Sequence, residues 1–327
     1  MQYRRLGKTG YSVSEVSFGS WAIGGTWGPV EDSTSMRALD EAIDQGINFF
    51  DTADVYGDGH SEKLLSRLAK SKKERIYIAT KAGRRLDPHV AEGYTIENIT
   101  AFLERSLKNL DVEQVDLLQL HCPPTAVYDN EALFFGMDQL VKSGKIAHYG
   151  VSVETVDEAL KAITYENVAT VQIIFNMFRL KPTDVLLEKA MAQDVGVIAR
   201  VPLASGMLTG KMRKDTIFDK DDHRFFNRHG EAFDKGETFS GVDYNKGLEA
   251  VERLMAVKPT SMTMAQFALK WILMNKGISC VIPGGRTPEQ VRQNAETSEG
   301  IELDIVLMNQ VKAIYDELIR PDVHHLW

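Results

Sequence analysis

VATVQIIFN, residues 168–176, carries apolar side chains on both faces of an extended chain. A strand with one wet face would alternate. This one expects cover on both sides, as in a parallel sheet buried between layers. Seven further runs share the character: VSEVSFG (13–19), INFFDTA (47–53), RIYIATKAG (75–83), VDLLQLHC (115–122), HYGVSV (148–153), GVIARVPL (196–203) and GISCVIPGG (277–285). Amphipathic stretches separate them. Residues 34–45 put Met36, Leu39, Ala42 and Ile43 on one face before Gly46. Residues 95–109 open with a capping-type Thr-Ile-Glu-Asn and carry Ile99, Phe102, Leu103 and Leu107 as a stripe. Segments 60–69, 130–143, 154–163, 183–194, 263–275 and 287–295 behave alike. Eight strand–helix units predict an α/β chain folded as a (β/α)8 TIM barrel, a single domain over 1–327. A doubly wound open sheet is the alternative, but no G-x-G-x-x-G follows the first strand. Residues 2–13, with Gly7 and Gly10, predict an N-terminal β-hairpin that plugs the barrel's N-terminal mouth. Residues 204–243 form a long loop after strand seven, of a length that in compact domains is functional or disordered.

The bulk numbers bound the function. The net charge is −8, from 38 Lys and Arg against 46 Asp and Glu. That balance offers no footing for a nucleic-acid or anionic-membrane partner, both of which want clustered cations. The first residues lack the apolar core of a signal peptide, and no apolar run is long enough to span a bilayer. Cys122 and Cys280 are too few for a disulfide scaffold, so a cytoplasmic protein with free thiols is expected. No CxxC or HExxH occurs, and no metal is expected.

In a barrel the reactive site lies where strands hand over to the following loops. Strand two ends in Asp51 and runs on to Tyr56, strand three ends in Lys81, and strand four ends in His121. Singly, each has an ordinary explanation: a solvated rim lysine, a hydrogen-bonded histidine, a tyrosine covering apolar surface, an aspartate capping a turn. Together on three consecutive strands they make a proton-delivery set. A phenol with a pKa of about 10 is a poor acid at neutral pH. Lys81 is expected to lower that value, with Asp51 holding Lys81 charged. His121 would donate to a carbonyl oxygen, and Tyr56 would deliver a proton to it while a hydride reaches the carbon.

Several stretches carry a specific resemblance: FFDTADVYGDGHSEKLL (49–65), IATKAG (78–83), VDLLQLHCP (115–123), GKIAHYGVS (144–152), VQIIFNMF (171–178), PLASGMLTGK (202–211) and IPGGRTPEQVRQNA (282–295). In this order they resemble the aldo-keto reductase superfamily along essentially the whole chain, in particular its bacterial NADP-dependent branch, related to potassium-channel β subunits. The resemblance implies a (β/α)8 barrel that binds a nicotinamide without a Rossmann motif, with a catalytic tetrad of Asp51, Tyr56, Lys81 and His121. It implies carboxamide contacts from Ser152 and Gln172, and positions beside the cofactor and reacting carbonyl for Ser20 and Trp21. Asp51 is also expected near the cofactor.

Where many members stack a tyrosine on the nicotinamide, this chain has Arg200, whose guanidinium plane can also stack. Pro202, Leu203, Ser205 and Gly206 resemble the loop over the pyrophosphate, with Lys211 and Arg224 as charge partners. Gly284, Arg286, Gln290 and Asn294 fall at the adenosine end. Arg286 is the expected partner of a 2′-phosphate, with Arg292 a second candidate, so NADP(H) is preferred and NAD(H) remains possible. Trp21 and Trp27, with Tyr56 and His121, are the expected substrate contacts. Phe225, Phe226 and Phe233 are candidates to close over a substrate, and RPDVHHLW (320–327) is a candidate rim element. The implied reaction is reversible reduction of an aldehyde, ketone or sugar carbonyl. A nicotinamide-binding regulatory subunit with little turnover is the alternative, and a phosphate-binding isomerase or lyase barrel is a third reading. Oligomeric state is left open.

Overall fold

A computed structural model describes residues 1–24 and 31–327. Its centre is an eight-stranded parallel sheet, β3 to β10 in sequential spatial order. The strands are β3 Phe18–Gly19, β4 Phe49–Asp51, β5 Tyr77–Ala82, β6 Val115–His121, β7 Ile146–Ser152, β8 Val168–Ile174, β9 Gly196–Arg200 and β10 Ile278–Val281. The sheet closes on itself. Val281 N donates to Glu15 O at 2.9 Å, Ser17 N to Val281 O at 2.9 Å, and Gly19 N to Pro283 O at 3.1 Å. A Cβ at Gly19 would lie 2.6 Å from Ile282 O, so this seam requires glycine there. The doubly wound alternative falls with the closure.

Helices alternate with the strands: α1 Asp32–Asp44, α2 His60–Ser71, α3 Ile96–Leu110, α4 Glu131–Lys142, α5 Val156–Ala162 and α6 Leu186–Ala192. After β9 come α7 His223–Phe226, α8 Tyr244–Val257 and α9 Met264–Leu273. After β10 come α10 Pro288–Ala295, α11 Ile305–Ile314 and α12 Arg320–Val323. Among the described residues, no helix is long and apolar enough to cross a membrane. The stripe in α3 is buried as expected except at Phe102, which is half-buried, and it extends to Leu110. Thr95 Oγ1 caps Asn98 N, and Ile99, Leu103, Leu107 and Leu110 are buried against the sheet. One apolar layer lies between sheet and helices. A smaller one fills the barrel bottom, where Leu6 and Val13 pack on Phe49, Ala79, Leu117, Ile198 and Cys280. Leu6 and Val13 come from the expected hairpin, β1 Tyr3–Arg5 paired with β2 Ser12–Ser14. Tyr11 of the same hairpin stacks on Tyr77, the first residue of β5, at 4.2 Å.

Three differences from the sequence expectation concern the loops. Most strands are shorter than their apolar runs: β6, β8, β9 and β10 end before the run does, β3 keeps only the last two residues of 13–19, and β7 instead starts two residues before its run. The helices α8, α11 and α12 lie outside the strand–helix alternation that organised the reading. The 204–243 connection is folded onto the barrel, with α7 and several 3-10 turns.

Candidate active site

The C-terminal ends of the strands open into one cleft of about 950 Å3. At its floor, Lys81 Nζ donates to Asp51 Oδ1 at 2.5 Å and to Thr52 O at 2.9 Å, and lies 3.4 Å from Tyr56 Oη. The other Asp51 oxygen accepts from Gln172 Nε2 at 2.7 Å and Gln119 Nε2 at 3.2 Å. Lys81 and Asp51 are almost fully buried, which is tolerable only because each is paired and hydrogen-bonded. Burial pulls the Lys81 ammonium down, but Asp51 and Tyr56 outweigh it and raise the group above its ordinary value. The site therefore holds a fixed cation beside the phenol.

The expected lowering of Tyr56 is corrected. Burial is the larger influence and raises the phenol above 10; Lys81 pulls it back only in part, while Asp51 and Glu237 add to the rise. Tyr56 is thus fully protonated at neutral pH. His121 is pushed well below 6.5 by burial first and then by Arg84, Lys81 and Arg200. It is a neutral imidazole at neutral pH, able to donate from one ring N–H. The two rings meet edge-on at 6.1 Å.

Ser152, Gln172, Pro202, Leu203, Gly206 and Lys211 line the cleft beside this floor, with Gly284, Arg286, Gln290 and Asn294 further along it. Gln172 spends its amide nitrogen on Asp51, so it has its carbonyl oxygen to offer a ligand. Gln290 Oε1 accepts from Arg286 N at 2.8 Å, and Asn294 Nδ2 donates to Gly284 O at 3.2 Å. Arg224 also lines the cleft, gripped by Asp222 at 2.9 and 3.1 Å through Nε. Ser205 reaches the cleft wall, but its hydroxyl is committed, donating to Glu237 O at 2.8 Å and accepting from Phe239 N at 3.2 Å.

Two expected contacts are not brought in. Ser20 is fully buried behind the wall. Its hydroxyl donates to Asp51 O at 2.8 Å and accepts from Ser61 Oγ at 2.7 Å. Arg292 lies on the outer face of α10, paired with Glu41 of α1 at 2.9 Å. Trp21 lies over Tyr56 at 6.1 Å with planes 21° apart, and near Phe233 and His223. Phe226 and Phe233 line the cleft, whereas Phe225 is exposed. Trp27 lies outside the described residues.

Arg200 reaches the cleft, but its guanidinium is held by charge rather than by a ring. Nη1 donates to Glu237 Oε1 at 2.5 Å, and Nη2 to Glu154 Oε2 at 2.8 Å and Val153 O at 3.0 Å. Arg84 donates to Glu154 Oε1 at 3.3 Å and is ion-paired with Glu237 Oε1 at 3.8 Å. Sequence reasoning missed Arg84, Glu154 and Glu237. The first two follow strand ends and could have been found there; Glu237 comes from the long loop, which has no register to read. Cys122 Sγ and the two carboxylates form a cluster with metal-like spacing, and Arg200 and Arg84 are the cations paired with its carboxylates. Burial pushes the Cys122 thiol up to about 12. Cys122 and Cys280 are both free and buried.

With this geometry in view, the comparisons are informative. The profile of the Aldo/keto reductase family matches residues 15–316. The chain belongs to the aldo/keto reductase family. It is 30% identical to the aldo-keto reductase YhdN of Bacillus subtilis, over 99% of this chain and 96% of that one. It is also 30% identical to a probable voltage-gated potassium channel subunit beta of Arabidopsis thaliana, over 98% of this chain and 99% of that one. Among solved structures it resembles the glycerol dehydrogenase of Gluconobacter oxydans, with a TM-score of 0.79 and 29% identity, covering 97% of this chain and 96% of that one.

One further group in this aldo/keto reductase site has a measurable consequence. Asp54, two residues before Tyr56, is fully buried, and among the described residues neither carboxylate oxygen has a hydrogen-bond partner. Burial, then the Glu62 charge, pushes its carboxyl up to about 7. As pH rises through the range between the ordinary value and 7, the unfolded chain loses this proton before the folded one does. Folding is therefore penalised increasingly, by up to about 4 kcal/mol at neutral pH. Asp54→Asn removes that slope. Urea unfolding at several pH values is expected to show the variant gaining on the parent as pH rises from about 4 to 7. Parallel curves would mean that Asp54 is ionised in the folded protein.

Proposed function

We propose that the chain is an NADP(H)-dependent oxidoreductase that reversibly reduces an aldehyde or ketone carbonyl to an alcohol. The observation that carries this is Tyr56 Oη, 3.4 Å from a buried ammonium that is itself clamped by Asp51, at the floor of the cleft. Proton delivery needs an acid that keeps its proton until a partial negative charge develops nearby. A buried tyrosine beside a fixed cation meets that need, because the cation favours the phenolate formed during transfer. Neutral His121 donates a hydrogen bond to the carbonyl oxygen and aims it at Tyr56. Trp21 covers the reacting centre and limits water.

The residues fit a nicotinamide dinucleotide. The cleft lies within the usual range of about 300–1,000 Å3 for cofactor and ligand sites. Ser152 and Gln172 suit a carboxamide, Lys211 and Arg224 a pyrophosphate, and Arg286 with Gln290 and Asn294 a phosphorylated adenosine. When bound, the reduced nicotinamide supplies the hydride. The identity to proteins named as reductases and as a glycerol dehydrogenase supports the reaction class.

The substrate wall mixes aromatic residues with the charge-balanced Arg84, Glu154, Arg200 and Glu237 group. That composition supports a small aldehyde or a hydroxylated, sugar-type one. The likeness to a channel β subunit supports a second reading, a cofactor-binding regulatory subunit, which predicts binding without turnover.

Arg286→Ala tests the cofactor assignment. A lost charge-assisted phosphate contact costs roughly 1.5–3 kcal/mol, or about 10- to 100-fold in affinity. Fluorescence titration is expected to show that loss for NADPH and little change for NADH. Equal losses would remove the 2′-phosphate contact.

A further inference from the structure

We propose that Trp327, outside the cleft, is a positioning residue for the substrate wall, acting through the loop segment that carries Glu237. The proposal rests on the oxidoreductase reading above. Trp327 is only 5% exposed. Its indole Nε1 donates to both carboxylate oxygens of Asp234, at 3.0 and 3.2 Å. The Arg179 guanidinium lies 3.8 Å from the ring centroid. Arg179 in turn donates to Ser240 O at 3.5 Å and to Glu154 O at 3.4 Å. The fit leaves no slack. A Cβ at Gly241, where φ is +76°, would sit 2.3 Å from the indole, and one at Gly236 would sit 2.7 Å from Arg179 Nη1.

The clamped segment runs from Asp234 to Gly241. One of its faces meets Trp327 and Arg179, and the other enters the cleft. Phe233, immediately before it, lines the cleft near Trp21. Glu237, within it, completes the pair with Arg200 at 2.5 Å. Asp234 also orders the turn that presents Glu237, accepting from Gly236 N at 2.7 Å. The indole is thus bound to the residue that shapes this turn, on the far side from the substrate. Without Trp327, Asp234 and Arg179 lose their shared partner and the segment loses its outer wall. Glu237 and Phe233 would then keep their cleft-side contacts and the bonds of the turn itself, such as Phe233 N to Asn227 Oδ1 at 3.0 Å, but lose the outer clamp.

The test uses Trp327→Ala, Trp327→Phe, Glu237→Gln and the Ala/Gln double variant. Displacement of a substrate-contacting wall by about an ångström is expected to raise KM for the carbonyl substrate roughly 10-fold or more in Trp327→Ala. NADPH affinity should fall less than KM rises, since Arg286 and Asn294 lie outside the clamped segment and only Ser205 of the pyrophosphate loop bonds to it. Trp327→Phe keeps the ring over Arg179 and loses the bond to Asp234, so it should fall between parent and Ala. If Trp327 acts through Glu237, the double variant will be little worse than Glu237→Gln alone. Amide hydrogen exchange over 236–241 should accelerate in the Trp327 variants, a readout that needs no turnover. Unchanged KM in a folded Trp327→Ala protein, or effects that add in full to those of Glu237→Gln, overturns the proposal. If Trp327→Ala does not fold, unchanged KM and exchange in Trp327→Phe overturn it instead. Parent protein without carbonyl turnover would overturn the oxidoreductase reading, while the exchange data would still decide the clamp.

Discussion

Tyr56→Phe is expected to lower kcat for carbonyl reduction by about 10²- to 10⁴-fold, the range over which a positioned general acid contributes. The substitution removes one oxygen and keeps the ring. The contacts of that ring with Trp21 and His121 therefore remain, as does the Lys81 bond to Asp51. Lys81 loses only its longest partner, at 3.4 Å. NADPH binding, followed by fluorescence, should stay close to that of the parent. The raised phenol value sets the pH behaviour. Reduction in the parent should be insensitive to Tyr56 ionisation throughout the neutral range and fall only in strong alkali. Retained turnover in the variant would assign proton delivery to another group, and neutral His121 is poorly suited to the task.

Lys81→Met is expected to damage both stability and activity. The substitution conserves much of the volume but leaves the Asp51 carboxylate buried with only Gln119 and Gln172 as partners. Breaking one side of a buried pair costs about 3–5 kcal/mol, far more than the pair contributes over an apolar replacement. Urea unfolding at neutral pH should show a loss of that order. The raised Lys81 value gives the deficit a pH signature. The pair's contribution is fully present below the unfolded lysine value of 10.5 and is lost as pH rises through the higher folded value. The gap between parent and variant should therefore narrow only in strong alkali. Activity should fall at least as far as in Tyr56→Phe, because the phenol then lacks the cation that favours its ionised form. A variant as stable as the parent would mean that the Lys81–Asp51 pair contributes no net stability to the fold.

Much of this site was legible in the sequence because it sits at the ends of strands. VATVQIIFN and its seven counterparts are apolar on both faces, and that property is local, so the barrel could be counted out before any contact was known. Asp51, Lys81 and His121 then fall at the mouth by position alone. What could not be read depends on direction and on distant partners. Ser20 stands at the expected place, but the first turn after β3 aims its hydroxyl at Asp51 O rather than into the cleft. Arg200 also stands at the expected place, yet its behaviour is decided by Glu154 and by Glu237, the latter on a loop with no periodicity. Tyr56 was expected to be lowered because the ammonium was legible, whereas the degree of burial opposing it was not. Arg292 was the weaker of two phosphate candidates in the sequence, and its place on α10 turns it toward Glu41.

The most direct test of the central claim is single-turnover mixing of the purified chain and NADPH with a panel of small aldehydes, hydroxyaldehydes and ketones, following loss of the reduced-nicotinamide absorbance. The account predicts that at least one carbonyl consumes NADPH stoichiometrically and yields the corresponding alcohol in the parent, and that the same mixture is inert with Tyr56→Phe. NADPH bound by the parent but not consumed by any carbonyl, or consumed equally fast by the Phe variant, would contradict it.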